Sequence, residues 1–144
     1  MATSTQVSVE EYLGTSHKPA CEYIDGVLIQ KPMPTLDHSF IQSRIIALIA
    51  AFFRAYVALP ELTVRLREKE WLVPDVAITR RDRLERPYPT KPVHVCIEIL
   101  SPEDRFSKVI SKLEDYFAWG VPFCWIIDPA KQRASTVEPD GKPK

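Results

Sequence analysis

Asp75 and Glu98 are carboxylates where packing alone would not put them. One follows Pro74 inside "WLVPDVAI" and the other interrupts "HVCIEILSP" between Ile97 and Ile99. A carboxylate in a buried strand is desolvated at a cost of roughly several kcal/mol unless a cation or hydrogen-bond donors meet it. Neighbouring strands lie about 4.8 Å apart, so two such acids can converge on one ion. Oxygen ligands of this kind suit Mg2+ or Mn2+, and the backbone carbonyl of Ile99 is a natural third ligand. Lys108 and Lys112 follow one helical turn apart. A lysine near such a site can position water and stabilise charge on a transferring phosphate. Two carboxylates, an ion and a lysine are the parts that phosphodiester hydrolysis needs. The same residues also have a structural reading, with Asp75 in a turn, Glu98 paired with an arginine and Lys112 solvated on a helix, and spacing alone does not decide.

The elements that must position these residues are legible in outline. Ser8 and Glu11 have capping-box spacing, which starts a short helix in "SVEEYL". Asp25-Gly26 between two β-prone triplets predicts a hairpin. From Leu36 to Tyr56, Phe40, Ile41, Ile45, Leu48, Ile49, Phe52 and Phe53 recur at helical spacing, which predicts the main buried helix. "ELTVRLREKE" and "WLVPDVAIT" read as two strands of a second hairpin, the first with an apolar and a basic face. "RRDRLERPYPTKP" is a surface loop. The opening strand ends at Ser101-Pro102, and a helix over 104–119 carries Phe106, Val109, Ile110, Leu113 and Phe117 as its apolar stripe, stopped by Gly120. "VPFCWIID" is another strand and "RASTVEP" a short edge strand. Nearly continuous apolar runs at 93–100 and 122–128 predict parallel pairing with the intervening helix as crossover, in one mixed sheet flanked by helices.

With 144 residues, 45% of them hydrophobic, the chain is the size of one domain. Its 19 basic and 19 acidic residues cancel, so no global field draws it to nucleic acid or anionic lipid, and such binding must come from a local patch. The local basic excess is Arg65, Arg67, Arg80, Arg81, Arg83 and Arg86, flanking the "PD" segment as a phosphate-contact surface or as solvated arginines. Cys21, Cys96 and Cys124 form no CxxC pair and read as buried thiols in a reducing cytoplasm. "MATSTQVSVEEY" is not a secretory signal, and "IIALIAAFF" is shorter than the roughly 20 residues a membrane span needs. The wide apolar face of the long helix is where a homodimer would form.

In order, "EYIDGVLIQKPMP", His38, "VPDVAI", "IEILSP" and "KLEDYFAWGVPFCWIIDP" resemble the Uma2 family of restriction-endonuclease-like proteins, once a domain of unknown function, over Tyr12 to Pro129. The resemblance implies a PD-(D/E)xK nuclease: an α/β restriction-endonuclease-like fold with a central mixed sheet flanked by helices, one domain over 1–144, and Mg2+- or Mn2+-dependent cleavage of DNA. On that pattern Asp75, Glu98 and Ile99 would hold the metal. The usual lysine position, two residues after the acid, is Leu100, so the lysine would come from the following helix as Lys112, with Lys108 in reserve. Glu22 would be a further acid orienting water, or an exposed strand residue, and His38 a recurrent histidine that lines the site or packs at the helix start. The chain ends at "EPDGKPK", soon after the last matched block, so a C-terminally short form is expected. The alternative function is a catalytically inactive nucleic-acid-binding or assembly module of the same fold.

Overall fold

The computed structural model of the chain describes residues 6–139. Residues 1–5 and 140–144, including most of the C-terminal end just discussed, lie outside the described residues.

Helix α1, Val9–Gly14, begins as its capping box predicts, with the Ser8 side chain accepting the Glu11 N–H at 3.1 Å. Strands β1, Cys21–Ile24, and β2, Val27–Gln30, form the expected hairpin. Asp25 and Gly26 close it with φ of 48° and 89°, the left-handed pair that matches the strands' twist. Helix α2, Leu36–Phe52, is capped by Thr35.

This helix is not the buried one its pattern predicts. Ile41, Ile45, Ile46 and Ile49 pack against a sheet, while Leu36, Phe40 and Phe52 are 83%, 61% and 74% exposed. The helix is apolar nearly all round but has one sheet face to lie on. It also stops before Tyr56, because Tyr56–Pro60 is a strand, β3, whose first residue happens to continue the helical period.

The second hairpin exists as β4, Val64–Arg67, and β5, Glu70–Leu72. "WLVPDVAIT" is however two strands in two sheets, because the chain leaves the hairpin after Leu72 and resumes as β6, Val76–Arg80. Pro74 has no N–H for a ladder, which makes Val73-Pro74-Asp75 the natural break.

Strand β7, Val95–Ile99, runs parallel to β8, Phe123–Asp128, and helix α3, Phe106–Trp119, makes the predicted crossover between them. Strand β9, Arg133–Val137, adds an antiparallel edge. The single mixed sheet expected is thus two: a mixed sheet ordered β3-β6-β7-β8-β9 and an antiparallel one ordered β2-β1-β5-β4.

Helix α3 lies where both sheets meet, with Leu113 and Tyr116 packed among Cys96 and Cys124 of one and Val64 and Leu72 of the other. Helix α2 covers the opposite face of the mixed sheet, over Ile78, Val95, Ile97 and Ile99. The stripe of α3 is displaced from the sequence reading: the helix starts at Phe106, which is exposed, and Tyr116 is fully buried in its place.

Gly120 ends α3 with φ of 118°, and a Cβ there would lie 2.9 Å from Pro92 Cγ. Gly120→Ala is therefore expected to destabilise the protein by about 1–3 kcal/mol from backbone strain, before the clash is relieved. A denaturant midpoint unchanged from wild type would contradict this.

Candidate active site

The break between the two sheets explains what gathers around it. Val73, Pro74 and Asp75 are buried yet sit outside regular strand, so their backbone groups need other partners. Charged side chains supply them. The Val73 N–H donates to Glu22 Oε2 at 2.8 Å, and the Val73 carbonyl accepts from Lys31 Nζ at 2.8 Å and Lys112 Nζ at 3.3 Å. The Asp75 carbonyl accepts from Gln42 Nε2 at 2.8 Å.

Asp75 and Glu98 lie side by side and lock each other. The Asp75 N–H donates to Glu98 Oε2 at 3.1 Å, and the Ile99 N–H donates to Asp75 Oδ2 at 2.7 Å. Each carboxylate thus has one oxygen fixed by backbone and the other turned to side chains. Asp75 Oδ1 meets Lys31 Nζ at 2.7 Å and His38 Nε2 at 3.2 Å, and Glu98 Oε1 meets Lys112 Nζ.

Each residue arrives from its own element. Strand alternation puts Glu98 on the same face of β7 as Cys96, toward α3, where Lys112 projects. Glu22 leaves β1 on the face opposite Cys21 and Tyr23, and meets Lys112 Nζ at 2.6 Å. His38 stands in the first turn of α2, and Gln42 one turn on. Lys31 follows β2 and also bonds Glu61 Oε2 at 2.7 Å, in the turn after β3.

The charges are unevenly compensated. Lys112 is held charged, because Glu22, Glu98 and Asp75 outweigh the burial that opposes its ammonium. Burial would raise Asp75, but the His38 hydrogen bond and the Lys31 and Lys112 charges hold it well below the usual carboxylate range. Glu98 has no such surplus: burial pushes it up to about 8, against the pull of Lys112. His38 is raised by its hydrogen bond to Asp75, against burial.

A carboxyl raised in the folded state contributes stability that is full below its unfolded value and lost as pH rises through the folded one. For Glu98 that window runs from 4.5 to about 8, and the raised His38 acts in the same direction above 6.5. Chelator-treated protein is expected to lose melting temperature as pH rises from about 5 to about 8. A rise over that interval would contradict the charge assignment.

Of the residues read from sequence, Asp75, Glu98, Lys112, Glu22 and His38 come together, and Ile99 joins through its N–H. Lys108 is exposed. Of the six arginines, Arg65 lies 5.7 Å over the Trp71 ring, Arg67 pairs with Glu70, Arg80 pairs with Asp82, and Arg81 donates to the Arg54 carbonyl. Sequence reading missed Lys31, Gln42 and Glu61. Lys31 lies inside a matched block but has no spacing signal, and Glu61 follows a strand that was itself unread.

The Uma2 family model, described as "Putative restriction endonuclease", matches residues 9–143. No curated protein matches the chain. A solved structure described as a "putative nuclease belonging to DUF820" from Anabaena variabilis is 30% identical, with a TM-score of 0.80 over 96% of this chain and 83% of that one. That likeness shows the α/β restriction-endonuclease-like fold expected from the sequence. A structure described as a DrdV–DNA complex aligns at a TM-score of 0.47 and 16% identity, over 76% of this chain and 10% of that one, too weakly to carry an argument.

Proposed function

We propose that this chain, which belongs to the Uma2 family, is a metal-dependent endonuclease that hydrolyses phosphodiester bonds in DNA, built as one restriction-endonuclease-like domain. The observation that carries the reading is the locked pair of Asp75 and Glu98, two buried carboxylates held side by side. Glu22, Glu61, Asp75 and Glu98 are four carboxylates facing two ammonium groups, Lys31 and Lys112, and an ion would take the place of the proton that burial keeps on Glu98 near neutral pH. A divalent cation fits that donor set.

Asp75, Glu98 and the Ile99 carbonyl would hold Mg2+ or Mn2+. Once bound, the ion would supply a Lewis acid for the phosphoryl oxygens and a lowered pKa for water. Lys112, held by Glu22, Glu98 and the Val73 carbonyl, would set its positive charge beside the scissile phosphate and the attacking water. Glu22, with one oxygen shared between Lys112 and the Val73 N–H, has its other oxygen to orient that water. Arg65, Arg67, Arg80 and Arg81 are the proposed phosphate contacts, and the exposed Arg80–Asp82 ion pair is weak enough for phosphate to replace.

A second copy of the chain would pack on the exposed apolar face of α2, with Leu36, Phe40 and Phe52 at its centre. The cytoplasm is the proposed compartment, supported by three buried free thiols. No helix among the described residues is long and apolar enough to cross a membrane.

The test is scission of supercoiled and linear DNA by the purified chain with Mg2+ or Mn2+. Cleavage that survives chelation contradicts the metal reading. Binding without cleavage in the presence of metal moves the protein to the inactive binding module.

A further inference from the structure

We propose that the Tyr116 hydroxyl is a positioning group for Glu98, donating a hydrogen bond to its carboxylate when Asp75 and Glu98 hold a divalent cation. The proposal rests on the reading of that pair as a cation seat and adds to it a residue from the protein's core.

The hydroxyl is the exception among the buried tyrosines. Tyr12 donates to the Cys21 carbonyl at 2.6 Å and Tyr23 to the Val7 carbonyl at 2.7 Å. Tyr116 is 0% exposed, and its hydroxyl has no hydrogen-bond partner among the described residues. A buried hydroxyl left unpaired destabilises a fold, and phenylalanine would fill the same space without that penalty.

Its place in the fold points the hydroxyl at the site. Tyr116 stands one helical turn after Lys112 on α3, and Lys112 Nζ lies 5.9 Å from the centre of its ring. Helical side chains lean toward the helix N-terminus, which carries the hydroxyl toward the level of Lys112. The ring packs with Cys96, which shares with Glu98 the face of β7 turned to α3. Burial, and then the Glu98 charge, push the hydroxyl well above the ordinary tyrosine range, so it remains a donor at neutral pH.

Counting acceptors leaves Glu98 as the partner. The Lys112 ammonium accepts nothing, and its N–H groups already meet Glu22, Glu98 and the Val73 carbonyl. Cys96 and Cys124, packed beside the ring, offer only weak sulfur acceptors. A carboxylate has about four acceptor positions. On Glu98 the Asp75 N–H and Lys112 use two of them. A cation would use a third, which leaves one for a hydroxyl. An O–H bond to an ionised carboxylate is stronger than one between neutral groups, and it fixes the orientation of a metal-binding carboxylate.

The test joins Mn2+ affinity to metal-free stability in wild type, Tyr116→Phe and Glu98→Gln. Free Mn2+ is counted by electron paramagnetic resonance as the full chain is titrated, and melting is followed after chelation at neutral pH. Tyr116→Phe should bind Mn2+ about tenfold more weakly or worse. Metal-free, it should melt at or above the wild-type temperature, because the hydroxyl it loses has no partner there. A hydroxyl with a purely structural role would instead lower the melting temperature and leave affinity unmoved. Unchanged affinity in Tyr116→Phe, or a lower metal-free melting temperature, overturns the proposal. Mn2+ that Glu98→Gln releases and Tyr116→Phe binds as tightly as wild type overturns the role of the hydroxyl alone and leaves the carboxylate pair standing. No Mn2+ bound by wild type overturns both.

Discussion

Asp75→Asn is expected to lower metal-dependent DNA cleavage by on the order of 10³-fold or more, with the fold intact. The substitution keeps the side chain's shape and an oxygen to accept the Ile99 N–H, a bond of 2.7 Å in the structure. What it removes is the charge that an ion bound to this pair would depend on. Asp75 is also the residue through which the two halves of the site connect, since Oδ1 faces Lys31 and His38 while its N–H holds Glu98. The loss should appear in kcat, because the interaction is stronger with the transition state than with bound DNA. Cleavage by Asp75→Asn equal to wild type, measured on the same substrate with Mn2+, contradicts the assignment.

Lys112→Met is expected to be the most destabilising single change at the site. Its ammonium meets Glu22 at 2.6 Å, Glu98 and the Val73 carbonyl, and methionine fills the space without the charge. Breaking a buried ion pair by removing one partner costs about 3–5 kcal/mol, because the remaining charges stay buried and uncompensated. The deficit has a direction in pH. Glu98 is already pushed up to about 8 by burial, and without Lys112 to oppose it the carboxyl rises further. Wild type and variant both keep Glu98 protonated below about pH 8, so the deficit should be flat from pH 5 to about 8, set by the loss of the Glu22 pair, and should grow as pH rises further. Millimolar Mn2+ should restore part of it by mass action. Lys108→Met, at an exposed position, should change stability by less than about 0.5 kcal/mol. Chemical denaturation of both variants at the two pH values decides between the lysines. Equal effects would contradict the choice of Lys112.

The sequence made the pair of acids visible because each breaks an apolar strand pattern, and strand spacing alone then allowed them to converge. Lys112 was visible from spacing only as one of two lysines a turn apart, and the family resemblance chose it over Lys108. Lys31 and Glu61 were not. Both sit just past the end of a strand, where no period sets side-chain direction, and Glu61 lies at φ of 50° after a strand hidden by its neighbour's helical pattern. Two sheets were read as one because the apolar run through "WLVPDVAI" does not mark where the hydrogen bonds change partner. Pro74 was the available sign, and the break it marks is the place where the charged groups collect.

The same break connects fold and chemistry. A chain crossing between sheets leaves backbone groups that polar side chains meet, and those side chains form a site whose carboxylates outnumber its ammonium groups. The central claim is that a divalent cation supplies the balance between Asp75 and Glu98. A crystal of the chain soaked in Mn2+ and measured at an anomalous wavelength tests it most directly. An anomalous peak bonded to both carboxylates, with Lys112 still beside Glu98, is the predicted result. Well-ordered carboxylates without a peak, at Mn2+ concentrations that saturate binding in solution, would contradict it.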